Sequence, residues 1–184
     1  MNGLCFERLT RRDYPLLARW LAEPHVQRWW NHEFTEAALE ADFGASIDGV
    51  DPAEVFIVSA TDSPALPFGL LQRYRFADNP GYLDELAPLL AVPPAALSID
   101  YFVAEPGMLR RGWGSAMIRA ALADIWVDYP AAPCVVVPVH AANTASWRVL
   151  ERAGMQRVAS GPLTPDNPLD DPLHHVYRIV RPAG

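Results

Sequence analysis

The chain contains no lysine. All fifteen basic residues are arginines, so a Gly-x-x-x-x-Gly-Lys-Ser/Thr nucleotide loop is excluded at once. Cysteine is almost as scarce. Cys5 and Cys134 fit neither a metal spacing nor a disulfide framework, and both read as small hydrophobes in buried strands. The five histidines, His25, His32, His140, His174 and His175, lack zinc-like spacing, so no metal is expected. No apolar run approaches the roughly 18 residues of a membrane span, and no charged-then-apolar leader opens the chain. The expectation is a cytoplasmic protein without a membrane partner. A net charge of −7 argues against general nucleic-acid binding. It suits either a cationic small substrate or simple solubility.

What is there is an ordinary globular composition, with half the residues hydrophobic and a fifth charged. At 184 residues the economical reading is one domain spanning 1–184. The 18 prolines punctuate loops throughout without forming a linker, and no internal repeat is visible.

The stretch from Ala96 to Trp126 organises the rest. Leu97–Val103 reads as a strand, Glu105-Pro106-Gly107 as a turn, and a basic loop follows from Met108 to Ser115. Beyond it Met117, Ala121 and Ile125 lie near one face of a helix. A strand feeding a glycine-containing basic loop that opens a helix is suited to an anion. The first-turn N–H groups are unpaired, the helix dipole favours negative charge, and glycine admits an oxygen close to the backbone. Arg110 and Arg111 add two cations, and a pyrophosphate is the expected cargo. The loop is not Gly-x-Gly-x-x-Gly, since no glycine stands three residues after Gly114. Taken alone, it also reads as a basic helix cap.

A second segment, Asn143 to Met155, follows the apolar strand Pro133–Val139. Together, Arg111-Gly112-Trp113-Gly114-Ser115 and Asn143-x-x-Ser146-x-x-x-x-Glu151-Arg152-Ala153-Gly154-Met155 resemble the acyl-coenzyme-A-binding motifs of the GNAT superfamily of N-acetyltransferases. The resemblance covers nearly the whole chain. It implies an α/β (α+β) fold with a mixed, mostly antiparallel central sheet, splayed strands and flanking helices. It also implies acetyl-CoA as cofactor. The pantetheine arm would meet backbone near Phe102 and Val103, and the diphosphate would rest on Arg110, Arg111, Gly112, Trp113, Gly114 and Ser115. Asn143, Ser146 and Arg148 would hold the cofactor from the second motif.

The remaining segments follow in order. Leu4–Leu9 is an expected strand, and Thr10 an expected cap for a helix beginning near Arg12 and ending before Pro24. Trp29 and Trp30 stand in an expected loop between short helices. Side by side they cannot face the same way, so one suits the core and the other a cleft wall for a ring; the equal alternative is that both cap the core. Thr35 is expected to cap a short helix to about Phe43. Two strands, Glu54–Ala60 and Pro67–Phe76, flank the turn at Thr61–Pro64. The segment 77–95 reads as a long insertion. Asp78, Tyr82, Asp84 and Glu85 form either an amine-binding wall or a solvated loop edge, and the apolar run Leu86–Val92 suits packing or self-association. Gly154 is expected to end the second-motif helix in a left-handed conformation. A closing strand pair, Met155–Ala159 and Leu173–Val180, is separated by a Pro- and Asp-rich loop placed to fold over an active site.

An alkyl ammonium, with a pKa near about 10, must lose a proton before it attacks a thioester. Asp100 is the candidate base, because it interrupts an apolar strand where an unpaired carboxylate is costly. A structural carboxylate bonded to backbone amides is the competing role. Within the superfamily the segments Trp20 to Trp30, Ser98 to Phe102 and Leu150 to Gly154 resemble aminoglycoside 6'-N-acetyltransferases. That likeness implies an aminoglycoside facing Trp30 and Asp100, and antibiotic resistance as the consequence. Trp29, Tyr74, Asp78, Tyr82, Asp84 and Glu85 are further candidate substrate contacts, in a monomer or homodimer. Two departures stand out. Leu150 occupies the position of the usual acid tyrosine, and Pro138 lies where those enzymes carry an acidic residue. They leave the general acid unassigned and the acetylated amine open between a 6'-type and another position such as 2'. A siderophore-pathway lysine N-acyltransferase, a non-catalytic coenzyme-A-binding module and a protein N-terminal acetyltransferase are the alternative readings.

Overall fold

The structure is a computed structural model describing residues 3–183. The fold separates into two compact units. One takes in the chain up to Arg73 together with Asp100–Trp113; the other comprises Tyr74–Ile99 and the chain from Gly114 onward.

The first unit holds β1 (Leu4–Arg8), β2 (Glu54–Ala60), all but the last two residues of β3 (Ser63–Arg75) and the second half of β4 (Leu97–Val103), strands that neighbour one another in that order. β1 and β2 pair antiparallel from Leu4↔Ala60 to Arg8↔Phe56. The β2–β3 turn is tighter than expected, because β3 begins at Ser63. The prolines are accommodated by register shifts, with Ser59 opposite Pro67 and Ala60 opposite Ser63. Proline has no N–H to give a ladder, so a bulged stretch is where it fits. β3 and β4 approach closely at Gly69, where a Cβ would stand 2.3 Å from the Phe102 carbonyl oxygen. Only glycine fits there.

Three helices complete this unit: α1 (Tyr14–Leu21), α2 (Pro24–Trp30) and α3 (Glu36–Ile47). The helix expected near Arg12 starts as a 3-10 turn, Arg11–Asp13. There Asp13 accepts from both the Thr10 N–H (2.9 Å) and the Thr10 hydroxyl (2.8 Å). The tryptophan segment is helical, not a loop. Pro24 at its first position presets the backbone, and Asn31 ends it in the left-handed region at φ 47°. Thr35 caps α3 by accepting from the Ala38 N–H (3.2 Å), and the helix runs past Phe43 to Ile47. Leu17, Trp20, Val26 and Leu39 bury against Val55, Leu70 and Phe102 in one apolar cluster.

In the second unit β4 is followed by β5 (Cys134–His140), β7 (Leu173–Val180) and β6 (Gln156–Pro162). β5–β7 and β6–β7 are antiparallel. β4 and β5 run parallel through a single register pair, Leu97↔Val135, which is the short ladder that splayed strands leave. The sheet is therefore mixed and mostly antiparallel. The expected insertion holds a helix, α4 (Pro80–Leu86). The apolar run after it is packing, with Leu86, Leu89, Leu90 and Val92 in a cluster with Phe76, Val136 and Val176. α5 (Trp113–Asp128) buries Met117, Ala121 and Ile125 as its periodicity predicts. α6 (Thr144–Arg152) ends where Gly154 adopts φ 98°. Cys134 is buried, but Cys5 is only half-buried, since β1 carries only one neighbouring strand.

Candidate active site

In the first unit the site is built on one face of β4. Side chains two apart on a strand share a face, so half-buried Asp100 points the same way as Phe102. The Trp30 ring packs edge-on to Phe102 at 4.9 Å between centroids. α2 is held in place by buried Val26 and by His25, whose Nε2–H donates to the Val103 carbonyl (3.0 Å). One of the two backbone groups expected to receive pantetheine thus already accepts a hydrogen bond. The turn after β4 is fixed by Glu105, which accepts from the Trp20 indole N–H (2.8 Å) and from Arg19 (2.9 Å). Trp29 differs from Trp30: the Arg28 guanidinium covers its face at 4.3 Å. Both rings are half-buried, and Trp30 alone joins the core cluster.

The basic loop turns sharply at two positions. Arg110 (φ 59°) and Gly112 (φ 86°) are both left-handed, and both arginine side chains are exposed. The Trp113 ring packs on Phe68 at 5.2 Å, so its indole serves the core while its backbone opens α5.

In the second unit, the Ser115 hydroxyl lies buried in the first turn of α5 without a hydrogen-bond partner among the described residues. A buried orphan donor beside unpaired helix N–H groups fits a phosphate oxygen. Ser98 Oγ, on β4, is likewise buried and unpartnered among the described residues. Asn143 Oδ1 accepts from the Ser146 N–H (3.2 Å), capping α6 and leaving the Asn143 amide N–H groups for a ligand. Arg148 is exposed, its guanidinium 5.4 Å from the Trp147 ring centre. Leu150 is fully buried.

The acidic-aromatic segment makes contacts of its own within the fold. Asp78 is held by Arg75 through two hydrogen bonds (2.7 and 2.9 Å), and Glu85 accepts from the Thr164 N–H (2.6 Å). Tyr74 and Tyr82 pack together at 5.7 Å, and Asp84 is exposed. The loop 163–172 is tied down. Leu163 is buried and its N–H donates to Pro172 O (2.9 Å), while His140 Nε2–H donates to Asp171 O (2.7 Å). His140 Nδ1 accepts from the Ala142 N–H (3.2 Å), which fixes the tautomer. Among the described residues no cluster of metal-ligating side chains occurs.

A family model described as an acetyltransferase (GNAT) domain matches residues 10–163. The chain belongs to the GNAT acetyltransferase family. It is therefore an N-acetyltransferase by family, and its sheet is the mixed one that family implies. Among similar proteins is the aminoglycoside N(6')-acetyltransferase type 1 of Klebsiella pneumoniae, 24% identical over 164 residues, covering 87% of this chain and 77% of the relative. A solved structure of AAC(6')-Ib with paromomycin and acetyl-CoA superposes with a TM-score of 0.79 at 20% identity. It covers 98% of this chain and 94% of the other. A GNAT-family acetyltransferase from Bacillus anthracis superposes with a TM-score of 0.75 at 15% identity, covering 97% and 95%.

Sequence reasoning missed Glu105, His25 and the pair His32–Asp42. The first two act on partners 78 to 86 positions away in the chain. No local spacing announces such contacts.

Proposed function

We propose that this acetyltransferase moves an acetyl group from acetyl-CoA to a primary amine of an aminoglycoside. The observation that carries the reading is the alignment of Trp30, Phe102 and Asp100 along one face of β4, an aromatic wall beside a carboxylate. An aromatic face suits the apolar side of a sugar ring, and a carboxylate suits its ammonium groups. The aminoglycoside acetyltransferases among its relatives support the same substrate class.

Acetyl-CoA supplies the acetyl group as a thioester. In the first unit we assign its binding to backbone at Phe102 and Val103 and to the loop Arg110–Trp113; in the second, to Gly114, Ser115, Asn143, Ser146 and Arg148. The orphan Ser115 hydroxyl and the left-handed Arg110 and Gly112 fit a diphosphate. Asp100 acts as base, accepting the proton of the substrate ammonium so that the neutral amine can attack. Buried Leu150 carries no proton, so water protonates the leaving thiolate. Trp29, Tyr74, Asp78, Tyr82, Asp84 and Glu85 remain proposed substrate contacts. Among them Asp84 is exposed, and Asp78 brings its own Arg75. We also propose that residues 1–184 act as one domain, in the cytoplasm, with antibiotic resistance as the consequence.

The test is thiol release from acetyl-CoA with purified protein, offered an aminoglycoside panel, hydroxylysine or a peptide amine. Release with an aminoglycoside is expected. Release only with hydroxylysine would instead give a siderophore-type acyltransferase. No release with any amine would contradict the enzymatic reading. Half-exposed Cys5 requires a cofactor-free control in that assay.

A further inference from the structure

The column of rings that reaches Phe102 does not stop at Trp30. The His32 ring lies 5.5 Å from Trp30, and it stacks on Phe43 at 6.4 Å with the planes 22° apart. Its Nδ1 stands 2.7 Å from Asp42 Oδ2 on α3. A carboxylate can only accept from that nitrogen. Nδ1 therefore carries the proton, and in the neutral ring Nε2 presents a lone pair. Among the described residues no hydrogen bond engages Nε2. The side chain keeps 35% of its surface open, and that of Asp42 keeps 37%.

This is a histidine clamped on two sides with one nitrogen left to work. Trp30 and Phe43 fix the plane of the ring, and Asp42 fixes its tautomer. An imidazole that served only to fill space would not need its proton assigned by a carboxylate. The ring that carries this acceptor neighbours Trp30, whose other ring neighbour is Phe102, two residues from Asp100 on β4.

We propose that His32, held by Asp42, is a specificity-determining residue whose Nε2 accepts a hydrogen bond from a hydroxyl or ammonium group of the polyhydroxylated amine bound against Trp30. The proposal rests on the aminoglycoside reading above. It adds a second polar anchor, so that Asp100 meets the reacting amine while His32 reads a more distant group of the same molecule. A site built to pair a substrate hydroxyl discriminates against amines that lack one, because its acceptor is then left unpaired.

Two variants separate this from a structural role. Asparagine places its amide where Nδ1 stood and keeps the bond to Asp42, but offers nothing at the place of Nε2. Glutamine reaches the place of Nε2 with a carbonyl oxygen. His32→Asn should raise KM for the preferred aminoglycoside by about tenfold, the worth of one hydrogen bond to a substrate, with kcat, melting temperature and acetyl-CoA affinity unchanged. His32→Gln should recover most of that loss. For a simple alkyl primary amine, His32→Asn should change KM little. An unaltered aminoglycoside KM in His32→Asn overturns the proposal, as does a His32→Gln variant no better than His32→Asn. A loss confined to kcat overturns it too. If wild-type protein turns over no aminoglycoside, the functional reading itself fails and the role of His32 fails with it; wild-type turnover with an indifferent His32→Asn removes only the role of His32.

Discussion

Asp100 carries the heaviest chemical demand of any single side chain in the proposed reaction. It sits half-buried on a strand whose other positions are mostly apolar, two residues from the ring that meets Trp30. Replacing it with asparagine keeps its shape and removes its ability to take a proton. Asp100→Asn should lower kcat/KM with an aminoglycoside by about a hundredfold or more, with the melting temperature little changed. Unchanged turnover would return Asp100 to a structural role. At this scale the sequence was informative where chemistry is local. An acid interrupting an apolar strand, a glycine after a helix and an asparagine three residues before a capped amide are visible in a single stretch. It was uninformative about pairing. Nothing marks Asp78 as the partner of Arg75 or Glu85 as the acceptor for Thr164, so an acidic cluster on paper became two committed carboxylates and one exposed one.

At the scale of elements, the first unit is fastened by charge as well as by apolar contact. Arg11, in the 3-10 turn before α1, bonds both Glu40 (2.7 and 2.9 Å) and Asp48 (2.7 and 2.8 Å), the one on α3 and the other just beyond it. The Tyr14 hydroxyl donates to Glu40 (2.9 Å), and burial followed by that bond pushes its pKa up to about 12. Hydrogen bonds from Arg11 hold both carboxyls below their ordinary values of 4.5 and 3.8. A lowered folded pKa contributes stability that is present above the ordinary value and lost as pH falls through the folded one. The groups lie at the surface, so the contribution is small and salt-sensitive. Arg11→Ala should therefore melt lower than wild type by a margin that persists between about pH 7 and pH 5 and closes below about pH 4. A margin independent of pH would show that Arg11 acts through packing alone. Elements were legible where an apolar run is bounded by turn residues, as in β2, β4 and α5. The segment Pro24–Trp30 read as a loop because two tryptophans and a proline mask a two-turn helix. The structure instead uses that proline to start the helix and Asn31 to stop it.

For the whole molecule, family membership rests on a match across residues 10–163. Among the described residues the parallel β4–β5 ladder is a single pair long. Among the described residues no helix is long and apolar enough to cross a membrane. The two motifs that carried the family resemblance lie in a left-handed basic loop and in a capped helix start, which are backbone features that only a few residue types permit. That is why they were readable without coordinates. Substrate contacts were less so, because a wall is made of side chains drawn from distant segments. Every proposed role, from Asp100 to His32, requires that the chain first bind its acetyl donor. Calorimetric titration of acetyl-CoA into the purified wild-type protein tests that requirement without reference to any acceptor. Saturable binding of one acetyl-CoA per chain, weakened when Arg110 and Arg111 are both replaced by alanine, is the predicted result. An absence of binding by the folded wild-type protein would contradict it.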